Sequence, residues 1–172
     1  ISGELADDFD IDEDLYYTIL PTATQYARNA IFAGLMPLQI KQMYPDLWVD
    51  EEEDEGKNLN EKALIAHQLE RFRRREQFTY HKLNDSQAVS QLLTQIKQFA
   101  ATPLNVLVIN FIDILSHART ESRMVRELAG SEGAYRGITQ SWFKHTPIRQ
   151  LFRQLAELDY DLIITTDHGS IK

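Results

Sequence analysis

Three short stretches of this chain carry residue types that do chemistry. Thr165-Thr166-Asp167-His168-Gly169-Ser170 sets a carboxylate beside an imidazole, with a glycine directly after them. Asp offers a hard anionic oxygen and His a neutral nitrogen, a mixture that suits zinc or manganese. Gly169 reaches backbone angles closed to other residues, so the chain can bend around an ion. Asp113 and His117 are four apart, and one helical turn puts such a pair on a single face, where both can grip one cation. Thr24 stands where a helix is expected to begin. A threonine hydroxyl is a poor nucleophile until deprotonated, and a divalent cation lowers its pKa toward neutrality. Arg28, one turn on, steadies an anion at that helix start or the helix itself. Each piece also has an ordinary reading: a solvated turn, the polar side of a loop, an N-cap threonine.

The elements around these stretches decide between the readings. Leu15 to Leu20 is rich in β-formers and stopped by Pro21, so a strand is expected, followed by a small-sided helix from Thr22 or Thr24 to about Leu35. Pro37 to Tyr44 and Leu59 to Arg75 read as helices, the latter with Leu64, His67, Leu69 and Phe72 inward. Gln77 to Leu83 reads as a strand, and Asp85-Ser86 caps a helix to about Ala100 with Val89, Leu92, Leu93, Ile96 and Phe99 at helical spacing. Leu104 to Phe111 is a nearly continuous apolar run, the pattern of a strand covered on both faces. Glu121 to Leu128 is helical, Gly130 to Gly137 loosens the chain, and Pro147 to Leu158 is amphipathic with Ile148, Leu151, Phe152 and Leu155 inward. Leu162 to Thr165 is the last expected strand. Strands alternating with helices predict an α/β fold, a three-layer sandwich around a mainly parallel sheet. Ligands in such sheets bind past the carboxyl ends of the strands. Three expected strands deliver Thr24, then Asp113 and His117, then Asp167 and His168 to that edge, which favours one shared site.

Composition bounds the function. The 172 residues are 43% hydrophobic and carry a net charge of −8, which predicts one globular domain and argues against a broad nucleic-acid surface. There is no cysteine, so any metal is held by Asp, Glu, His or hydroxyl groups, and a cytoplasmic location fits. The longest apolar run is far too short to enter a membrane as a span. The acidic leading segment 1–14 is expected to be exposed or a frayed helix, and the acidic run 50–56 a solvated loop. Arg71, Arg73, Arg74 and Arg75 balance that run or form a phosphate-binding patch. His67 and His81 read as structural. Tyr135, Trp142 and Phe143 read as core, with stacking on a base as the alternative. The absence of a starting methionine and the end just after the Asp-His-Gly stretch predict a piece of a longer protein.

With these residues in view the chain resembles the alkaline phosphatase superfamily, specifically its PglZ branch. The resemblance rests on Pro21-Thr-Ala-Thr24-Gln-Tyr-Ala-Arg28, Asp113-Ile-Leu-Ser-His117 and Asp167-His168-Gly169, and spans about Tyr16 to Lys172. The stretch Leu20 to Pro37 is similar in wording to PorX-type response regulators, which control type IX secretion and carry a PglZ effector behind a receiver domain. The resemblance implies 1–172 is a partial PglZ domain with an alkaline phosphatase-like core. It implies two zinc ions (manganese is possible), with Thr24 as nucleophile and ligand, Asp167 and His168 as ligands of the ion nearest it, and Asp113 and His117 as ligands of the other. Thr22 is the runner-up nucleophile; Thr24 is preferred for its spacing to Arg28, a substrate-binding candidate. The family's further Asp before the nucleophile and His after Asp-His-Gly have no match here, so the parent chain is expected to continue on both sides.

The implied function is the effector domain of a two-component response regulator. It would act as a two-zinc phosphodiesterase or phosphatase on a nucleotide or a cyclic or linear oligonucleotide, and regulate type IX secretion. The alternative is a non-catalytic signalling output or dimerisation module with a structural or decayed metal site. Expected partners are a phosphodiester substrate, regulatory proteins of a two-component pathway and a second copy in a homodimer.

Overall fold

The computed structural model describes residues 2–49, 59–158 and 160–169; the acidic run 50–56 lies outside them. In chain order the elements are α1 (Ser2–Leu5), α2 (Thr24–Ala33), α3 (Pro37–Met43), a 3-10 turn (Pro45–Leu47), α4 (Glu61–Arg71), β1 (Phe78–Leu83), α5 (Ser86–Phe99), β2 (Leu104–Ile109), α6 (Phe111–Glu121), α7 (Arg123–Leu128), α8 (Glu132–His145) and α9 (Pro147–Ala156). The expected α/β class holds, with β1 and β2 paired in parallel, Phe78 opposite Leu104 and Leu83 opposite Ile109. Two compact units emerge: Ile1–Asp12 with Glu76–Asp161, and Glu13–Arg75 with Leu162–Lys172.

In the first unit α5 makes the crossover that a parallel pair requires. Asp85 caps it as expected, its carboxylate accepting the Ala88 N–H at 2.8 Å. Val89, Leu92, Ile96 and Phe99 of α5 are buried, as are Ile148, Leu151, Phe152 and Leu155 of α9, where Pro147 opens the helix at the position that tolerates it. Phe143 of α8 completes this core. At the end of β2 the Asn110 N–H still bonds Leu83 O, and Phe111 opens α6, so Asp113 falls in a first helical turn.

Two expectations in this unit are corrected. Part of the leading segment is docked: Leu5 of α1 is buried in the core, Asp8 pairs with Arg149, and Glu4 accepts from Gln140 and Lys144, while residues 10–14 are exposed as expected. The loosened stretch 130–137 is mostly helix, because Ser131 caps α8 through the Ala134 N–H at 3.1 Å. Burial of Phe143 offsets the helix cost of Gly133 and Gly137. The aromatic residues read as core are packed. Trp142 stacks on Phe111 at 4.0 Å, and Phe143 meets Phe152.

In the second unit Ala33, Ile40 and Leu64 join α2, α3 and α4, with Phe32, Leu35, Leu47 and Trp48 around them. The small side chains of α2 allow that close packing. Gly34 ends α2 in the left-handed conformation, φ 59°, and its N–H returns to Ala30 O at 2.8 Å. His67 stacks on Tyr44, and Arg71 donates to the Tyr44 hydroxyl at 2.9 Å, so both have structural partners. Phe72 lies past the end of α4 and is exposed, whereas Leu64 and Ile65 form its buried side with Glu61.

Neither Leu15 to Leu20 nor Leu162 to Thr165 forms a strand. Both run without ladder partners among the described residues, and Leu15 is 91% and Ile163 88% exposed. β-propensity is realised only when a neighbouring strand and a covering face are supplied. Side chains tie the two segments together instead. Tyr16 bonds Thr165 Oγ1 at 3.0 Å and the Thr166 carbonyl, and Thr18 donates to Asp167 O at 2.6 Å. Among the described residues no helix is long and apolar enough to cross a membrane.

Candidate functional site

Thr24 is the first residue of α2. The cap is Ala23, which supplies no side-chain bond, so the ordinary reading of Thr24 as an N-cap does not apply. Its hydroxyl meets His168 Nε2 at 2.9 Å, joining residues 144 positions apart. The other ring nitrogen, Nδ1, lies 3.0 Å from the Gly169 carbonyl. A carbonyl only accepts, so Nδ1 carries the proton, and in the neutral ring Nε2 is left with a lone pair that accepts from Thr24.

Asp167 is held at both oxygens. Oδ1 accepts the backbone N–H of His168 at 3.1 Å, and Oδ2 accepts from Arg28 Nε at 3.0 Å. Arg28 stands one turn beyond Thr24 on α2, and its Nη1 also lies 3.6 Å from Glu61 Oε1. The bonds from Tyr16 and Thr18 fasten the backbone of the Asp-His stretch, which has no strand ladder to fix it. The second unit therefore brings together Thr24, Arg28, Asp167 and His168.

Asp113 and His117 lie in the first unit, in α6, and face each other at 3.7 Å as their spacing predicts. Glu61, Tyr16 and Thr18 were not singled out by sequence reasoning. Glu61 had a usable signal, since it shares the i, i+3, i+4 face of α4 with Leu64 and Ile65. A charged residue on an apolar face asks for a partner. Tyr16 and Thr18 gave none, because they sit in a run that reads as a strand.

The side chains around Thr24 that could hold a divalent cation are Asp167, His168 and the Thr24 hydroxyl itself. Thr24 Oγ1 and His168 Nε2 are adjacent, and Asp167 Oδ1 lies 3.8 Å from the same nitrogen. Hard oxygens with one imidazole suit zinc or manganese, and a carbonyl on the far ring nitrogen is the usual orienting partner of a metal-binding histidine. Among the described residues no group of three or more His, Asp or Glu side chains gathers into a metal site, so a hydroxyl or a further donor is needed beside Asp167 and His168.

A family model described as the BREX system PglZ alkaline phosphatase-like domain matches residues 3–172. The chain belongs to the PglZ family. A comparison with curated proteins found no match. PglZ membership carries two general statements. The domain is alkaline phosphatase-like, which points to phosphoesterase-like chemistry, and that superfamily typically binds metals. Of the three motifs that carried the resemblance, Thr24 with Arg28 and Asp167-His168-Gly169 lie in the second unit, and Asp113 with His117 lies in the first.

Proposed function

We propose that this PglZ domain is a zinc-dependent phosphodiesterase or phosphatase with Thr24 as its nucleophile. The observation that carries the reading is the 2.9 Å contact between Thr24 Oγ1 and His168 Nε2 beside the Asp167 carboxylate. Asp167 and His168 would hold one cation next to the hydroxyl, the Nε2 lone pair then serving the cation in place of the Thr24 hydrogen bond, and Asp113 and His117 would hold a second. Manganese suits the same donors. When bound, the cations supply positive charge that lowers the hydroxyl pKa and stabilises oxygens at the phosphorus. Thr24 Oγ1 would give its proton to water and attack phosphorus in line, forming its bond as the bond to the leaving oxygen breaks, and the leaving oxygen would take up a proton from water. Water then hydrolyses the phosphothreonine. Gly169 O keeps the His168 ring oriented throughout, and Arg28 holds Asp167 and contributes to substrate binding. The substrate is a phosphodiester, such as a cyclic or linear oligonucleotide, or a nucleotide. The wider role is the output of a cytoplasmic two-component response regulator that controls type IX secretion, which rests on the similarity of residues 20–37 to PorX-type regulators.

A second reading is a non-catalytic output or dimerisation module. The exposed Leu15, Tyr17, Leu20 and Ile163 favour it, since large apolar side chains left in solvent fit association with a regulatory protein or a second copy. Metal analysis of the intact protein after metal-free purification and zinc reconstitution, with release of nitrophenol from a phosphodiester analogue, separates the two. The catalytic reading expects about two zinc per chain and turnover that Thr24→Val abolishes with the fold intact. Turnover retained in Thr24→Val would remove the nucleophile assignment. Absence of both zinc and turnover would favour the association module, to be followed by light scattering.

A further inference from the structure

Glu61 opens α4 and is 1% exposed, on the face that also buries Leu64 and Ile65. A carboxylate taken out of water in this way is strongly unfavourable unless a cation answers it. Arg28 does so, with Nη1 3.6 Å from Glu61 Oε1. The same guanidinium donates through Nε to Asp167 Oδ2 at 3.0 Å, and the Arg28 side chain is itself largely buried. One planar cation thus hydrogen-bonds the Asp-His stretch and lies at ion-pair distance from α4, and it is carried on α2 one turn from Thr24. A rigid planar group set between two carboxylates couples the position of one to the other, by a hydrogen bond to Asp167 and by charge attraction to Glu61.

We infer that Glu61 is a positioning residue for this site. Acting through Arg28, it fixes Asp167 with Oδ2 engaged and Oδ1 toward His168 and Thr24. It also offsets the Arg28 charge, which would otherwise weigh against a divalent cation at Asp167. This rests on the metal-binding reading of the site. The function proposed above needs only Asp167; the new element is that its orientation is set from α4.

The test uses the intact protein and the variants Glu61→Gln and Glu61→Asp. Zinc affinity is measured by competition with a chromophoric chelator. Loss of an outer partner of a metal ligand typically weakens metal binding about 10–100-fold, so Glu61→Gln should fall in that range and Glu61→Asp should recover part. Zinc affinity unchanged in a folded Glu61→Gln would overturn the inference, since a merely structural residue lowers the melting temperature and leaves affinity alone. Where Glu61→Gln does not fold, Arg28→Lys replaces it. Lysine keeps the charge but loses the fork, so affinity should drop, and unchanged affinity again overturns the inference. A metal-free readout separates this result from failure of the zinc reading. Melting temperatures of Glu61→Gln, Asp167→Asn and the double variant should be non-additive when the two carboxylates are coupled through Arg28. Additivity would reject the coupling whether or not the wild type binds zinc. A wild type that binds no zinc would reject the functional reading and leave the cycle to decide the coupling.

Discussion

His168 shows how one backbone contact sets the chemistry of a side chain. Gly169 O accepts the hydrogen bond from Nδ1–H, and the lone pair on Nε2 is thereby presented to Thr24. Without that contact either tautomer would serve, and the threonine would have no fixed acceptor. Arg28 is the residue on which the surroundings depend most. Arg28→Ala would leave Glu61 buried without its 3.6 Å cationic neighbour, and breaking a buried pair costs about 3–5 kcal/mol. Urea unfolding should show a loss of that size, and replacing Glu61 with Leu in the same chain should recover part of it. A loss below about 1 kcal/mol would mean that the pair behaves as an exposed one.

Among the elements, α2 is limited at its end by Gly34. A Cβ there would fall 2.5 Å from Gln68 Nε2 on α4, and φ is 59°. Gly34→Ala should therefore lose about 1–2 kcal/mol from the left-handed backbone alone, read as a lower melting temperature; no change would mean the C-cap relaxes freely. At the other end of the chain, α1 is held by a carboxylate. Hydrogen bonds from Gln140 and then Lys144 hold the Glu4 carboxyl below its ordinary value. A lowered folded-state value means the contribution is present above the ordinary value and is lost as pH falls through the lowered one. Thermal unfolding should show wild type ahead of Glu4→Gln near neutrality and level with it in acid. A gap that persists below the carboxylate range would point to a cause other than charge.

For the whole molecule, the net charge of −8 sets what it meets in solution. Long double-stranded DNA should not bind at physiological salt, and a filter-binding assay should show none of the steep salt dependence that phosphate contacts give. Measurable salt-dependent binding would overturn that expectation. The sequence by itself determined the α/β class, the β1–α5–β2 unit and the inward faces of α5 and α9, because periodicity and capping are local properties of neighbouring residues. It also singled out Thr24, Arg28, Asp113, His117, Asp167 and His168 as candidates, through motif types that resemble those of the PglZ family. Tertiary structure alone decided three things. The runs at Leu15 and Leu162 join no ladder among the described residues, since pairing needs a partner that no local pattern supplies. The Thr24 hydroxyl turns to His168 rather than capping α2, since that contact spans 144 positions. Glu61 is buried against Arg28, because its helix face is covered only when α2 and α4 meet.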